Sequence, residues 1–206
     1  MRLTLVRHGI TTWNREGRWQ GHTDTPLSPE GEAQARRLAV RLRHAHFDQV
    51  WSSDLQRAQQ TAQLALPGRT PQLDPRLREV HFGQYDGHTY AENRVHPEFE
   101  QWQQDSWTQA PPGGESLRAV GERARAWAEQ LTDGQEVVAF THGGTVRALT
   151  SLLLAWPTAA QPGAALPFPL RLLHASITRL VREEGRWALE TWNDIGHLER
   201  WAGAAD

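Results

Sequence analysis

The apolar run Leu3-Thr4-Leu5-Val6 stops at Arg7-His8-Gly9, and a second, Val137-Val138-Ala139-Phe140, stops at Thr141-His142-Gly143-Gly144. Short apolar runs of this kind are the pattern of strands buried on both faces. A buried strand holds its last residue rigidly, and glycine lets backbone or a ligand come close. In open α/β sheets, ligand sites form where strands end and helices begin. The chain is therefore expected to turn two imidazoles, with Arg7 beside the first, into one pocket.

The rest of the chain has to supply that sheet's partners. Ser28-Pro29 has the N-cap serine and first-turn proline of a helix start, after which Ala35, Leu38, Ala39, Leu42 and Ala45 recur at helical spacing. Val50-Trp51 belongs to a short second strand, and Asp54 is placed to cap a helix whose stripe is Leu55, Ala58, Ala62 and Ala65. Ser116 opens another helix, with Leu117, Val120, Ala124, Trp127 and Leu131 on one side. A helix over 144–155 follows the second histidine, 157–169 reads as a long connection, and 177–181 and 187–192 read as late strands joined by Glu184-Gly185-Arg186. This order predicts an α/β three-layer sandwich with a mostly parallel central sheet and helices on both faces. The segment 80–114 has no clean periodicity and carries Tyr85, Tyr90, Trp102 and Trp107, so it is expected to form a small helical cap. With 206 residues and no evident linker, a single domain over 1–206 is expected, the cap being an insertion.

Composition removes several chemistries. The chain has no cysteine, which excludes disulfides, thiolate metal ligands and cysteine nucleophiles. All 22 basic residues are arginine, so no lysine amine is there to form a Schiff base. A net charge of -2 gives no overall pull toward nucleic acid or an anionic membrane. The longest mainly apolar stretch, 148–156, falls well short of the roughly 20 residues of a bilayer-spanning helix. The first residues lack the pattern of a signal peptide, and a cytoplasmic protein is expected. His44-Ala45-His46 offers metal-ligand residue types, but alternate residues at a helix end point apart, so solvated surface is expected and no metal site.

His8, Arg57 and His142 share one structural address, each in a turn at the C-terminal end of an expected strand. Helix N-termini gather there and offer N–H groups and positive dipole ends to an anion. Arg7 and Arg57 can grip phosphate oxygens in bidentate fashion. The pocket reads as a phosphate site.

Arg7-His8-Gly9-Ile10-Thr11-Thr12-Trp13-Asn14 resembles the signature of the histidine phosphatase superfamily, also called phosphoglycerate mutase-like. Further blocks follow in that family's order: Gln20-Gly21; Asp24-Thr25-Pro26-Leu27-Ser28 with Gly31; Ser52-Ser53-Asp54-Leu55-Gln56-Arg57-Ala58; Leu77-Arg78-Glu79 with Phe82-Gly83 and Asp86-Gly87; Gly114-Glu115-Ser116; and Thr141-His142-Gly143-Gly144. The resemblance covers residues 3 to about 150. It implies that His8 is a nucleophile taking the phosphoryl group and that Arg7, Arg57 and His142 surround the phosphate oxygens. Asn14 would add a neutral hydrogen bond, and Glu79 would be the general acid. A carboxyl beside a phosphate dianion is pushed toward its protonated form by like charge. Gln20, Gly21 and His22 would border the leaving group, Gly143 joins the substrate-binding set, and His81, His88, Glu115 and Ser116 are further candidates for that pocket.

Two departures stand out: Ile10 where the family commonly has glutamate, and Tyr85-Asp86-Gly87 where Trp-Glu-Gly is usual. The implied activity is hydrolysis of small phosphate monoesters, with no cofactor. The alternative is a 2,3-bisphosphoglycerate-dependent mutase. Mutases of this family carry a longer insert after the acid, with a lysine and an arginine pair that clamp the substrate carboxylate. Here there is no lysine and only Arg94 between Glu79 and Arg118, and His142-Gly143-Gly144 resembles the phosphatases. A weak grip on a second anion and a partly apolar or ring-bearing leaving group are therefore expected. The expected partner is a small phosphorylated metabolite, with no nucleic acid and no membrane; a homodimer is left open.

Overall fold

The structure is a computed structural model and describes residues 1–156 and 171–198. Its elements in chain order are β1 (Arg2–Arg7), α1 (Thr12–Arg15), α2 (Pro29–Leu42), β2 (Gln49–Ser52), α3 (Gln56–Ala65), β3 (Gln72–Leu73), α4 (Tyr90–Asn93), α5 (Pro97–Gln104), α6 (Leu117–Ala128), β4 (Glu136–Thr141), α7 (Gly143–Leu153), β5 (Ile177–Glu183) and β6 (Arg186–Asp194). The strands form one six-stranded sheet in the order β3-β2-β4-β1-β5-β6. The first four strands are mutually parallel, while β5 runs antiparallel to both β1 and β6. The expected α/β sandwich is observed. Strand β3, two exposed residues with no apolar signal, is an addition to it.

Successive strand residues point to opposite faces, so each central strand feeds two cores. Leu3, Leu5, Val137 and Ala139 pack with Ala124, Trp127, Val146 and Leu149 of α6 and α7. Val6, Val138 and Phe140 pack on the other face with Leu38, Leu42, Ala62 and Ala65 of α2 and α3. Each fully buried aliphatic side chain stabilises the fold by about 1.5–3 kcal/mol, which makes these faces the main reason for the register. Ser28 and Ser116 cap α2 and α6 as expected, accepting from Gly31 N and Ala119 N. Glu184 and Gly185, both at positive φ, make the tight turn joining β5 to β6.

Two local expectations are corrected. Asp54 does not cap α3: its carboxylate is held by Arg78, Nε to Oδ1 at 2.7 Å and Nη2 to Oδ2 at 2.6 Å, and the Gln56 N–H finds Asp24 Oδ1 at 2.6 Å instead. Ala45 lies beyond the end of α2 and is exposed, because the stripe it extends no longer has a helix to carry it. The connection at 157–169 falls outside the described residues. The 80–114 segment contains a turn of 3-10 helix (Gly83–Tyr85), α4 and α5. Around these, Tyr85, Phe99 and Trp102 form a small core of their own with Trp19 and Phe82 against it.

Candidate active site

His8 follows β1 and is fixed on three sides. Its N–H donates to Thr141 O at 2.9 Å, its carbonyl accepts from Ala175 N at 3.1 Å, and the next N–H, of Gly9, donates to Thr61 Oγ1 at 3.0 Å. The ring Nδ1 lies 2.7 Å from Gly9 O. A carbonyl can only accept, so Nδ1 carries the proton and Nε2 keeps its lone pair. Burial, and then the charge of Arg57, holds the imidazole well below its usual pKa, so it is neutral at physiological pH.

His142 follows β4, and its ring centroid is 5.1 Å from that of His8. Arg57 Nε donates to His142 Nδ1 at 3.2 Å, which leaves Nε2 protonated and donating to Ser53 Oγ at 2.9 Å. Burial and Arg57 depress this imidazole too. Arg57 itself is fully buried. Its other nitrogens donate to Thr23 O at 2.9 Å and Gly21 O at 2.8 Å. Three of its five N–H groups are thereby committed, and two remain for a ligand. Gly21 makes this turn at a φ of +46°, where a Cβ would collide with the Asp86 carboxylate.

Arg7 is anchored by the chain leading into β5: Nη1 donates to Leu172 O at 2.5 Å and Nη2 to His174 Nε2 at 2.8 Å. Burial lowers the Arg7 guanidinium to about 10, against the pull of Glu79, so it stays cationic at neutral pH. Arg57 is likewise lowered to about 10 by burial. The His174 ring centroid lies 5.6 Å from that of His8, tilted at 55°, and burial, then Arg7, takes it down to about 3.

Glu79 comes from a loop stitched to β4 and α7. Thr141 Oγ1 donates to Leu77 O at 2.7 Å, Thr145 Oγ1 to Arg78 O at 2.5 Å, Arg123 Nη2 to Glu79 O at 2.8 Å and His22 Nε2 to Glu79 O at 2.9 Å. The carboxylate sits at the N-terminus of α7, where Oε1 accepts from Gly144 N at 2.9 Å and from Val80 N at 3.0 Å. A Cβ on Gly144 would stand 2.4 Å from that oxygen. Glycine here leaves room for the acid.

These groups bound a cleft of two chambers sharing Arg7, Trp19, Glu79 and Phe82. The outer, about 190 Å³, is completed by His8, Asn14, Arg18, Gln20, Gly21 and Arg57. The inner, about 230 Å³, is walled mainly by Trp19, Val80, Phe82, Trp102 and Leu117 and reached by Gly143 and Arg147. Asn14 and Gln20 present oxygens that are already engaged. Asn14 Oδ1 accepts from Thr11 N at 3.1 Å, and Gln20 Oε1 from the Thr11 hydroxyl at 2.8 Å and the Thr25 hydroxyl.

Of the residues expected from sequence, His8, Arg7, Arg57, Glu79, Asn14, Gln20 and Gly21 meet at the outer chamber, and Gly143 lines the inner one. His142 lies behind them, with both ring nitrogens engaged by protein. The aromatic residues are corrected: of the four expected to offer a surface, Trp102 lines the cleft, whereas Tyr85 is sealed in the small core, Trp107 packs with Val80 and Leu117, and Tyr90 is about half exposed. Trp19 and Phe82 take their place. His174 and Arg147 were missed. Arg147 had a findable signal, lying one helical turn after Gly143 on α7. His174 had none, because only the β1–β5 pairing brings it to His8.

A family model for the histidine phosphatase superfamily (branch 1) matches residues 3–195. A phosphoglycerate mutase-like protein 4 of Arabidopsis thaliana is 35% identical over 207 residues, covering 96% of this chain and 86% of that one. Among solved structures, a mycobacterial glucosyl-3-phosphoglycerate phosphatase is 35% identical with a TM-score of 0.81, covering 93% of this chain and 98% of its own. A phosphoserine phosphatase of Entamoeba histolytica is 27% identical with a TM-score of 0.82, covering 96% and 98%. The chain belongs to the histidine phosphatase superfamily, and these neighbours support a phosphoric monoester hydrolase.

Proposed function

We propose that this member of the superfamily hydrolyses small phosphate monoesters through a phosphohistidine at His8, without a metal ion, in the cytoplasm. The observation that carries the reading is the His8 ring itself. It is rigid and neutral, with Nδ1–H committed to Gly9 O and Nε2 left as a nucleophile beside Arg7 and Arg57. The free N–H groups of these two arginines hold the charge of the phosphoryl oxygens as it moves. Asn14 and Gln20, whose oxygens are engaged, turn amide donors to the same oxygens. His142 acts on Arg57, accepting its Nε–H and fixing the guanidinium plane.

In the first step Nε2 attacks phosphorus in line as the P–O bond to the leaving group breaks, and protonated Glu79 gives its proton to the departing oxygen. Because Oε1 is saturated by Gly144 and Val80, that proton belongs on Oε2. In the second step water attacks the phosphohistidine, Glu79 takes its proton, and Nε2 leaves with its lone pair restored. Among the described residues no group of three or more His, Asp or Glu is arranged to hold a metal. In this reading 80–114 is the cap of a single domain.

The mutase-like names among the relatives favour the second reading, a 2,3-bisphosphoglycerate-dependent mutase. A mutase must keep water from the phosphoenzyme while its intermediate reorients. The deciding measurement is product partitioning with 3-phosphoglycerate and 2,3-bisphosphoglycerate. Free phosphate is expected to exceed 2-phosphoglycerate by far; rapid isomerisation with little phosphate released would establish the mutase instead.

A further inference from the structure

We propose that the inner chamber selects a leaving group joining an apolar, ring-sized body to a carboxylate, with Arg147 as the residue that reads the carboxylate. The inference rests on the hydrolase reading of the same cleft and adds to it the class of alcohol or phenol released. The 80–114 segment carries a single arginine, Arg94, and it is exposed. The second cation comes instead from α7.

Arg147 lines the inner chamber. Its one side-chain hydrogen bond among the described residues is a long one, Nη1 to Gly143 O at 3.4 Å, and its Nε is sealed from solvent with no partner there. Arg7 Nε is in the same condition. The two guanidinium groups meet over the same face of Gly143: a Cβ there would stand 3.2 Å from Arg7 Nε and 3.3 Å from Arg147 Nη1. Two like charges are thus packed side by side, each disfavoured by burial. Glu79 is the carboxylate whose charge both feel, yet its Oε1 is already spent on two backbone N–H groups.

Buried donors left unpaired in this way are costly unless a ligand satisfies them. In the proposed reaction the phosphoryl group answers Arg7, on the His8 side. Arg147 lines the inner chamber and not the outer one, so a second anion has to meet it. A planar guanidinium matches a carboxylate bidentately. The rest of the lining, Trp19, Val80, Phe82, Trp102 and Leu117 together with the neutral Gln103 and Ser106, offers no further cation and is mainly apolar, which suits an apolar body. At about 230 Å³ the chamber has room for one substituted ring.

The test compares phenyl phosphate with 3- and 4-carboxyphenyl phosphate on the purified full chain, reading the ratio of kcat/KM for the carboxylated and plain esters. The wild type is expected to favour a carboxylated ester, and Arg147→Met to reduce that ratio about 10- to 100-fold, the range for losing a hydrogen-bonded charge. Arg147→Lys should recover part of it. A fraction of misfolded variant lowers both esters equally and cancels from the ratio. No preference in the wild type, or an equal loss on both esters in Arg147→Met, would overturn the proposal; the latter is what a role confined to positioning Glu79 produces. Failure of the wild type to hydrolyse any of the three would bring down the hydrolase reading and this inference with it.

Discussion

The outer and inner chambers share a wall but are held in opposite ways. In the outer one every charged or catalytic group is tied to backbone: His8 to Gly9 O, Arg57 to Gly21 O and Thr23 O, Arg7 to Leu172 O. In the inner one the added cation, Arg147, makes a single long hydrogen bond among the described residues, and the walls are side chains of two small apolar clusters. Under the proposed function, chemistry that must align atoms within tenths of an ångström sits on strand ends and helix starts, which cannot move without breaking the sheet. In the proposed reading, recognition of the leaving group is left to side chains that can change without disturbing it.

The most severe test of that division is His8→Ala, which should lower kcat by about 10⁴-fold or more, as nucleophile removal does elsewhere, and abolish acid-labile phosphate on the chain during turnover. Phosphate mapped by mass spectrometry to any other residue would break the assignment. Arg57→Ala comes next, with an expected loss of about 10²-fold or more in kcat, since a preorganised donor to developing charge is removed. The circular dichroism spectrum must be checked alongside, because Gly21 O, Thr23 O and His142 Nδ1 also lose their donor. A twofold effect in folded protein would place Arg57 outside the chemistry.

Gly144→Ala sharpens the boundary between the chambers. Its Cβ would meet Glu79 Oε1 at 2.4 Å and Val80 Cγ2 at 2.5 Å, so the acid must shift. Misplacement on this scale costs on the order of 10²-fold, and the loss should be smaller for esters with good leaving groups, which need little protonation. An equal loss for all leaving groups would mean that Glu79 is not the acid.

The smallest effect concerns stability. His174 is at about 3 when folded and near 6.5 when unfolded. Between these values the unfolded chain takes up a proton that the folded one refuses, so stability is intact above pH 6.5 and falls as the pH drops toward 3. His174→Asn should flatten that fall, by up to about 1.4 kcal/mol per pH unit. Thermal melts of both proteins between pH 7 and 4 check this; parallel slopes would show that the imidazole accepts protons freely in the fold.

The strand ends at His8 and His142, the faces of α2, α3, α6 and α7, and most of the outer chamber were legible in the amino-acid order. Burial leaves a local imprint, with period two in strands and near four in helices, and the glycines mark the breaks. The tertiary structure alone decided the rest. Which nitrogen of His8 is free depends on the position of Gly9 O, and the commitment of His142 to Arg57 and Ser53 on three segments converging. Pairing of β5 against β1 carries His174 and Leu172 to Arg7, and the stitching of residues 77–79 onto α7 brings Glu79 opposite Arg147. Sequence records whether a side chain is buried because that is a property of its own element. It does not record what the side chain meets, since each meeting is settled by long-range pairing, and hydrogen-bond roles follow only once both partners are in place.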